Sequence, residues 1–198
     1  MTKQPERDRL MDLVIDLILD QGLIDLSLSA IAREIGSNNR MLLYYFGSRE
    51  ALLDEASLAA FDRFPRLHNL FDGIEGPGPL RDRLIDAWDD LGHPDNHEFL
   101  RLYFQRFGIA MREPGRWKIF IERVGQEWLL RLAEVLRREG YQPADATITS
   151  TGIVALWRGL QMLVLSGVDA DQLRVTYRES LDALLSRALD GASNALGH

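Results

Sequence analysis

Leu26–Leu52 reads LSLSAIAREIGSNNRMLLYYFGSREAL, and its punctuation divides it into two short helices and the start of a third. Ser27 is a residue type that accepts a hydrogen bond from the unpaired N–H groups of a first helical turn. Leu28, Ile31, Ala32 and Ile35 follow at the spacing of one apolar helical face. Gly36 stands where a left-handed residue closes that helix, and Ser37-Asn38 offer caps for a second one through about Phe46. Helices of one or two turns do not persist alone in water, so both need a support. Gln4–Gln21 supplies one: Leu10, Leu13, Val14, Leu17 and Ile18 line one face, Asp12, Asp16 and Asp20 the other, and Gly22 lies just beyond its end. The expectation is three helices sharing one small core.

In the second short helix Leu42 and Phe46 turn toward that core, while Arg40 and Tyr44 lie one turn apart on the opposite side, open to a partner. Asn38, Asn39, Arg40 and Met41 occupy its N-terminal end, which a recognition helix usually presents to base edges. Asn pairs with adenine and Arg with guanine in the major groove. The candidate DNA contacts are therefore Ser27, Ser29, Asn38, Asn39, Arg40, Met41, Tyr44, Tyr45 and Arg49.

These residues resemble the TetR family of transcriptional regulators. The match runs Ser27-x-x-x-Ile31-Ala32-x-x-x-Gly36, then Leu42-x-x-Tyr45-Phe46, then Ser48-Arg49-Glu50-x-Leu52, with every spacing intact, and it covers residues of about 7–55. Ser27 stands where the family has Thr, Arg49 where it has Lys, Leu43 where it usually has a phosphate-binding Tyr, and Tyr45 where it often has His; Tyr44 supplies a phenol displaced by one place. The resemblance implies a helix-turn-helix DNA-binding domain, placed here over residues 1–50. A larger helical effector-binding and dimerisation domain would follow over 51–198, with about nine helices in total. It further implies a homodimer on a palindromic DNA operator, released or retained by a small-molecule effector.

A formal net charge of −7 works against a simple DNA-binding reading, since such proteins usually carry a basic footprint. Residues 1–50 hold six bases and eight acids, but five of the acids, Asp8 to Asp25, fall on or just after the first helix. Residues 33–49 carry three bases against one acid, which leaves a local positive surface. Few bases per subunit imply modest non-specific affinity and reliance on two subunits binding together. The absence of cysteine excludes disulfides and thiolate metal sites. No run approaches a membrane span, and MTKQPERDRL lacks the apolar core of a signal peptide, so a cytoplasmic protein with no membrane partner is expected.

Beyond Ser48, read as the cap of a helix through Leu52, Leu53, Ala56, Ala60 and Phe61 to Pro65, the clearest loop is GIEGPGP at Gly73–Pro79. Further breaks fall at Gly92-His93-Pro94, Glu113-Pro114-Gly115, Gly140–Pro143 and Gly167–Asp169. Between them Leu80–Leu91, Asp95–Arg112, Arg116–Glu139, Ala144–Ser166 and Asp171–Leu189 have helical lengths, and residues from about 190 read as a frayed tail. With no strand-like alternation, the chain is all-α.

Gly152, Ala155, Leu156, Gly159 and Leu163 form a stripe of small and apolar residues on one segment, and Tyr177, Leu181 and Leu184 a second stripe on the next. Two such helices from each of two subunits would make a four-helix interface; the plainer reading packs both stripes inside one monomer. The aromatics Trp88, Tyr103, Phe104, Phe107, Trp117, Phe120 and Trp128 are core, or else some of them line an effector pocket with polar groups such as Gln105, Arg106, Gln126 or Arg158.

His93 and His97 flank Asp95 at a spacing that resembles a metal site, but Pro94 interrupts the pair. No nucleophile elbow or phosphate loop is present, and no pattern asks for a cofactor or metal. The chain is read as a non-enzymatic, DNA-binding regulator. A helical ligand-binding or interaction module without DNA binding is the alternative, and its support is the acidic total charge and Leu43.

Overall fold

A computed structural model describes residues 3–23, 26–112, 115 and 117–195. All regular structure among them is helical. In chain order the helices are α1 (Lys3–Gln21), α2 (Leu28–Glu34), α3 (Asn39–Phe46), α4 (Arg49–Ala59), α5 (Pro65–His68), α6 (Leu70–Glu75), α7 (Leu80–Leu91), α8 (His97–Arg112), α9 (Lys118–Arg138), α10 (Pro143–Leu165) and α11 (Ala170–Ala195). Single 3-10 turns at Ala60–Arg63 and Pro94–Asn96 precede α5 and α8.

The chain divides into two compact units. The first takes the residues through Pro65 together with His97–Arg112; the second takes Arg66–Asn96 and the chain from residue 113 on. The domain boundary expected after residue 50 thus meets a unit that continues through α4 and also takes in α8.

In the first unit the local sequence dictates each helix start. Ser27, Asn38 and Ser48 all have extended backbones, and their side-chain oxygens accept from the N–H three residues on, Ala30, Met41 and Ala51, at 3.0 to 3.1 Å. Leu10, Val14 and Ile18 of α1 bury against Ile31, Leu42, Phe46, Leu52 and Ala56, and Leu102 of α8 completes the same cluster. Each fully buried Leu or Ile contributes about 1.5–3 kcal/mol, which anchors helices too short to form alone. Arg7 forks onto Glu55 at 2.6 and 2.7 Å and lies over the Phe46 ring at 5.0 Å, joining α1, α3 and α4. Asp12 and Asp16, on the face of α1 opposite its core residues, both pair with Arg63 of the turn after α4.

The second unit is organised around α10, which packs on α7, α9 and α11. Trp157 Nε1 donates to the Tyr177 hydroxyl at 3.0 Å, and that hydroxyl donates to the Leu84 carbonyl at 2.9 Å, so one buried phenol ties α10, α11 and α7. Burial pushes the Tyr177 phenol well above the usual tyrosine range, keeping its proton in place for that second bond. Tyr177→Phe leaves the Trp157 N–H unpaired at almost constant volume. The expected loss is about 1–3 kcal/mol, read by urea denaturation followed through tryptophan fluorescence.

Several expectations change. Gly73–Glu75 belong to α6 and not to a loop, because Phe71 and Ile74 are buried and Arg83 Nη1 donates to the carbonyls of Ile74 and Gly76 at 2.6 and 3.1 Å. The extra short helices α5 and α6 raise the total above nine. Of the break at Glu113-Pro114-Gly115 only Gly115 is described. α11 continues to Ala195 where a tail was expected from 190, and residues 196–198 lie outside the described residues. α10 is, among the described residues, long and apolar enough to cross a membrane by length and composition, which the sequence reading missed. Its apolar residues divide between the unit's core, through Ile153, Val154, Trp157 and Leu160, and an exposed side bearing Ile148, Met162 and Leu163.

Candidate nucleic-acid interface

The turn between α2 and α3 runs through Gly36, whose φ of +65° is the left-handed conformation that glycine adopts without strain. It sets α3 with Leu42 and Phe46 buried and with Asn39, Arg40, Leu43 and Tyr44 exposed. On this outer side Asn39 Nδ2 donates to Ser29 Oγ at 2.8 Å, a bond between α2 and α3 made wholly by exposed side chains. Tyr44 is 58% exposed, and its ring stands edge-on to Tyr45 at 5.0 Å.

The nine candidate contacts therefore sort by what else they hold. Ser27 and Asn38 cap α2 and α3, and Arg49 donates from Nε to the Leu26 carbonyl with Nη1 3.4 Å from Glu50. Tyr45 is half-buried against the core, and Met41 is half-buried beside its capped N–H. Ser29 and Asn39 hold each other. Arg33 lies 3.4 Å from Glu34. Arg40 is exposed, and among the described residues no carboxylate pairs with it.

Sequence reasoning treated Leu43 as a lost tyrosine, yet it is 45% exposed and lies three places after Arg40. That placement suits a thymine methyl. It also placed Gln105 and Arg106 with a pocket, whereas both serve the first unit. Gln105 Oε1 accepts the Leu23 N–H at 3.0 Å beyond the end of α1, and buried Arg106 lies 3.6 Å from Asp54 of α4. The amphipathic pattern of α8 carried no sign of which partner its buried face meets.

The remaining candidates disperse. Tyr103, Phe104 and Phe107 lie half-buried on α8 in the first unit. In the second, Trp88 is buried against Tyr177 with ring centroids 5.4 Å apart, and Trp117 meets Phe120 edge-on at 6.3 Å. Trp128 meets Phe71 and Trp157, and the Arg158 guanidinium lies 4.4 Å over its ring. Of the two stripes, Tyr177 and Leu181 are fully buried inside the unit and so are unavailable to a second subunit. Gly152 gives α11 its close approach, since a Cβ there would lie 2.8 Å from Leu184 Cδ2. Leu156 is half-buried, while Ala155, Gly159 and Leu163 are exposed. His93 is taken up locally, its Nδ1 accepting the Asp95 N–H at 3.3 Å.

Residues 10–56, which span this whole assembly from α1 into α4, match the model of the bacterial regulatory proteins of the tetR family. Over these residues the chain matches the TetR family. The chain is 26% identical over 198 residues to the HTH-type transcriptional regulator BetI 1 of Chromohalobacter salexigens, covering 96% of its own length and 95% of that protein. Its fold is similar to that of a transcriptional regulator from Saccharomonospora viridis solved in complex with choline (TM-score 0.73, 21% identity, 91% and 97% of the two chains). It is also similar to a transcriptional regulator from Rhodococcus sp. Rha1 (TM-score 0.69, 19% identity, 93% and 96%). The relatives are named as transcriptional regulators.

Proposed function

We propose that the protein is a ligand-responsive repressor that binds a near-palindromic operator as a homodimer in the cytoplasm. The observation that carries this reading is α3, held by the core through Leu42 and Phe46 with Asn39, Arg40 and Tyr44 turned outward together. In this reading Arg40 meets a base edge, Asn39 an adenine and the Tyr44 hydroxyl a phosphate. Because the other described arginines of residues 1–50 are tied to acids or backbone, each subunit neutralises few phosphates, and two heads in successive major grooves supply the affinity.

The exposed side of α10, with Ile148, Ala155, Gly159, Met162 and Leu163, is the surface on which a second subunit docks in this reading. Small residues there let two backbones approach closely. The second unit takes the effector; the choline bound by the Saccharomonospora viridis regulator supports a small-molecule ligand in a fold of this kind. Binding biases the spacing of the two heads and so the fit to DNA.

A gel shift with DNA from the protein's own promoter, repeated at several salt concentrations and combined with footprinting, tests the reading. The expected result is a protected site of two half-sites about one helical turn apart, with affinity falling as salt rises. A salt slope near zero on that site, or a monomer by light scattering at the concentrations used, overturns it. Absence of any shift would favour the interaction module instead.

A further inference from the structure

The carboxamide of Gln161 on α10 is fully buried, and its two ends differ in surroundings. Its Oε1 accepts from Arg158 Nη1 at 3.1 Å, whereas its Nε2 has no hydrogen-bond partner. Exchanging the two ends would set an N–H against a guanidinium that only donates, so Arg158 fixes the orientation. A buried amide donor left unpaired is costly, and such groups mark a missing partner.

The surroundings narrow what that partner is. Arg158 lies over Trp128 at 4.4 Å, Trp128 stands edge-on to Trp157 at 6.0 Å and to Phe71 at 5.9 Å, and Arg131 lies over Phe71 at 4.3 Å. The Gln161 end is buried, while Trp128 and Arg158 are partly exposed, so the cluster grades from a dry donor to the surface. The guanidinium groups of Arg158 and Arg131, the latter also paired with Glu75 at 2.8 Å, already occupy a face of Trp128 and of Phe71, so on those faces neither ring is left to hold a ligand cation. An acceptor oxygen at Gln161 Nε2, with the Arg158 cation beside it and an apolar body against tryptophan, fits each feature.

Resting on the reading of the second unit as the effector domain, we propose that Gln161, Arg158 and Trp128 form a subsite for the carboxylate of a small aromatic or aliphatic acid. The test uses full-length protein with benzoate, phenylacetate and octanoate as probes and choline as the cation control, followed by thermal melting and titration calorimetry. Gln161→Glu keeps an acceptor for Arg158 but removes the donor and adds a negative charge. Trp128→Phe is a milder second variant.

At least one acid is expected to raise the melting temperature of the wild type saturably, to bind Gln161→Glu at least about tenfold more weakly, and to bind Trp128→Phe more weakly than wild type. Choline is expected to leave the melt unchanged. Stabilisation by choline but by none of the acids, equal binding of an acid to Gln161→Glu, or no binding of any acid to the wild type overturns the proposal; the last result would leave Nε2 paired with water alone. Operator binding measured on the same preparations without acid separates this outcome from failure of the repressor reading.

Discussion

Arg40→Ala is expected to weaken operator binding by roughly a hundredfold or more. A bidentate arginine–guanine pair is worth about 1–3 kcal/mol of discrimination, and a homodimer loses two of them, about 2–6 kcal/mol in all. The geometry favours the upper part of that range: Arg40 is exposed at the start of α3, and no acid among the described residues holds it in the free protein. Fluorescence anisotropy on the footprinted operator, and on operators altered at one base of each half-site, measures the effect. If Arg40 reads a base, the variant loses preference at one position and keeps most of the salt slope. If it meets phosphate, affinity falls uniformly and the slope drops by about two for the dimer, one per subunit. A variant that binds as tightly as the wild type would exclude Arg40 from the interface. Arg49→Ala is the useful contrast, because its guanidinium holds the Leu26 carbonyl, and its loss should lower the stability of the first unit as well as DNA affinity.

Gly22→Ala is expected to destabilise the first unit by about 2–5 kcal/mol. Gly22 has φ +79°, where an L-residue is strained by about 1–2 kcal/mol, and a Cβ there would collide with the Gln105 carboxamide. Moving that carboxamide leaves the Leu23 N–H without its acceptor, which adds about 1–3 kcal/mol if the group stays buried. Gly36→Ala is the internal comparison: its φ is +65° but a Cβ meets nothing within 4 Å, so only the backbone cost applies. Denaturant melts and amide exchange at Leu23 report the difference. In Gly22→Ala combined with Gln105→Ala the collision is gone, so the double variant should cost less than the sum of the two single changes. Strict additivity would mean that the carboxamide accommodates the new Cβ while still accepting the Leu23 N–H.

The reading head was legible because its signals are local. Ser27, Asn38 and Ser48 each cap the helix that begins at the next residue, and Leu42 with Phe46 announce the buried face at helical spacing. What escaped depends on pairs distant in the chain. Nothing near Asp12 or Asp16 predicts Arg63, about fifty residues on, and nothing near Gly73 predicts that Arg83 will hold the carbonyls around it and keep the segment helical. Gln105 looked like a pocket residue because a polar side chain on an apolar helix face has no local partner; its partner is a backbone N–H eighty-two positions earlier. Small residues misled in the opposite direction: Gly152 suggested an approach between subunits, and its contact is Leu184 of the same chain.

The membership of α8 in the first unit bears on how such regulators can be recombined. Its residues Leu102, Gln105 and Arg106 serve the reader, yet the chain reaches them only after traversing Arg66–Asn96 of the other unit. The DNA-reading half is therefore not a contiguous cassette. Grafting the first fifty residues onto another protein would transplant α1–α3 while abandoning a core leucine and the side chain that closes the turn after α1. An exchange of operator specificity between two such proteins must carry α8 as well, or confine itself to the exposed residues of α3.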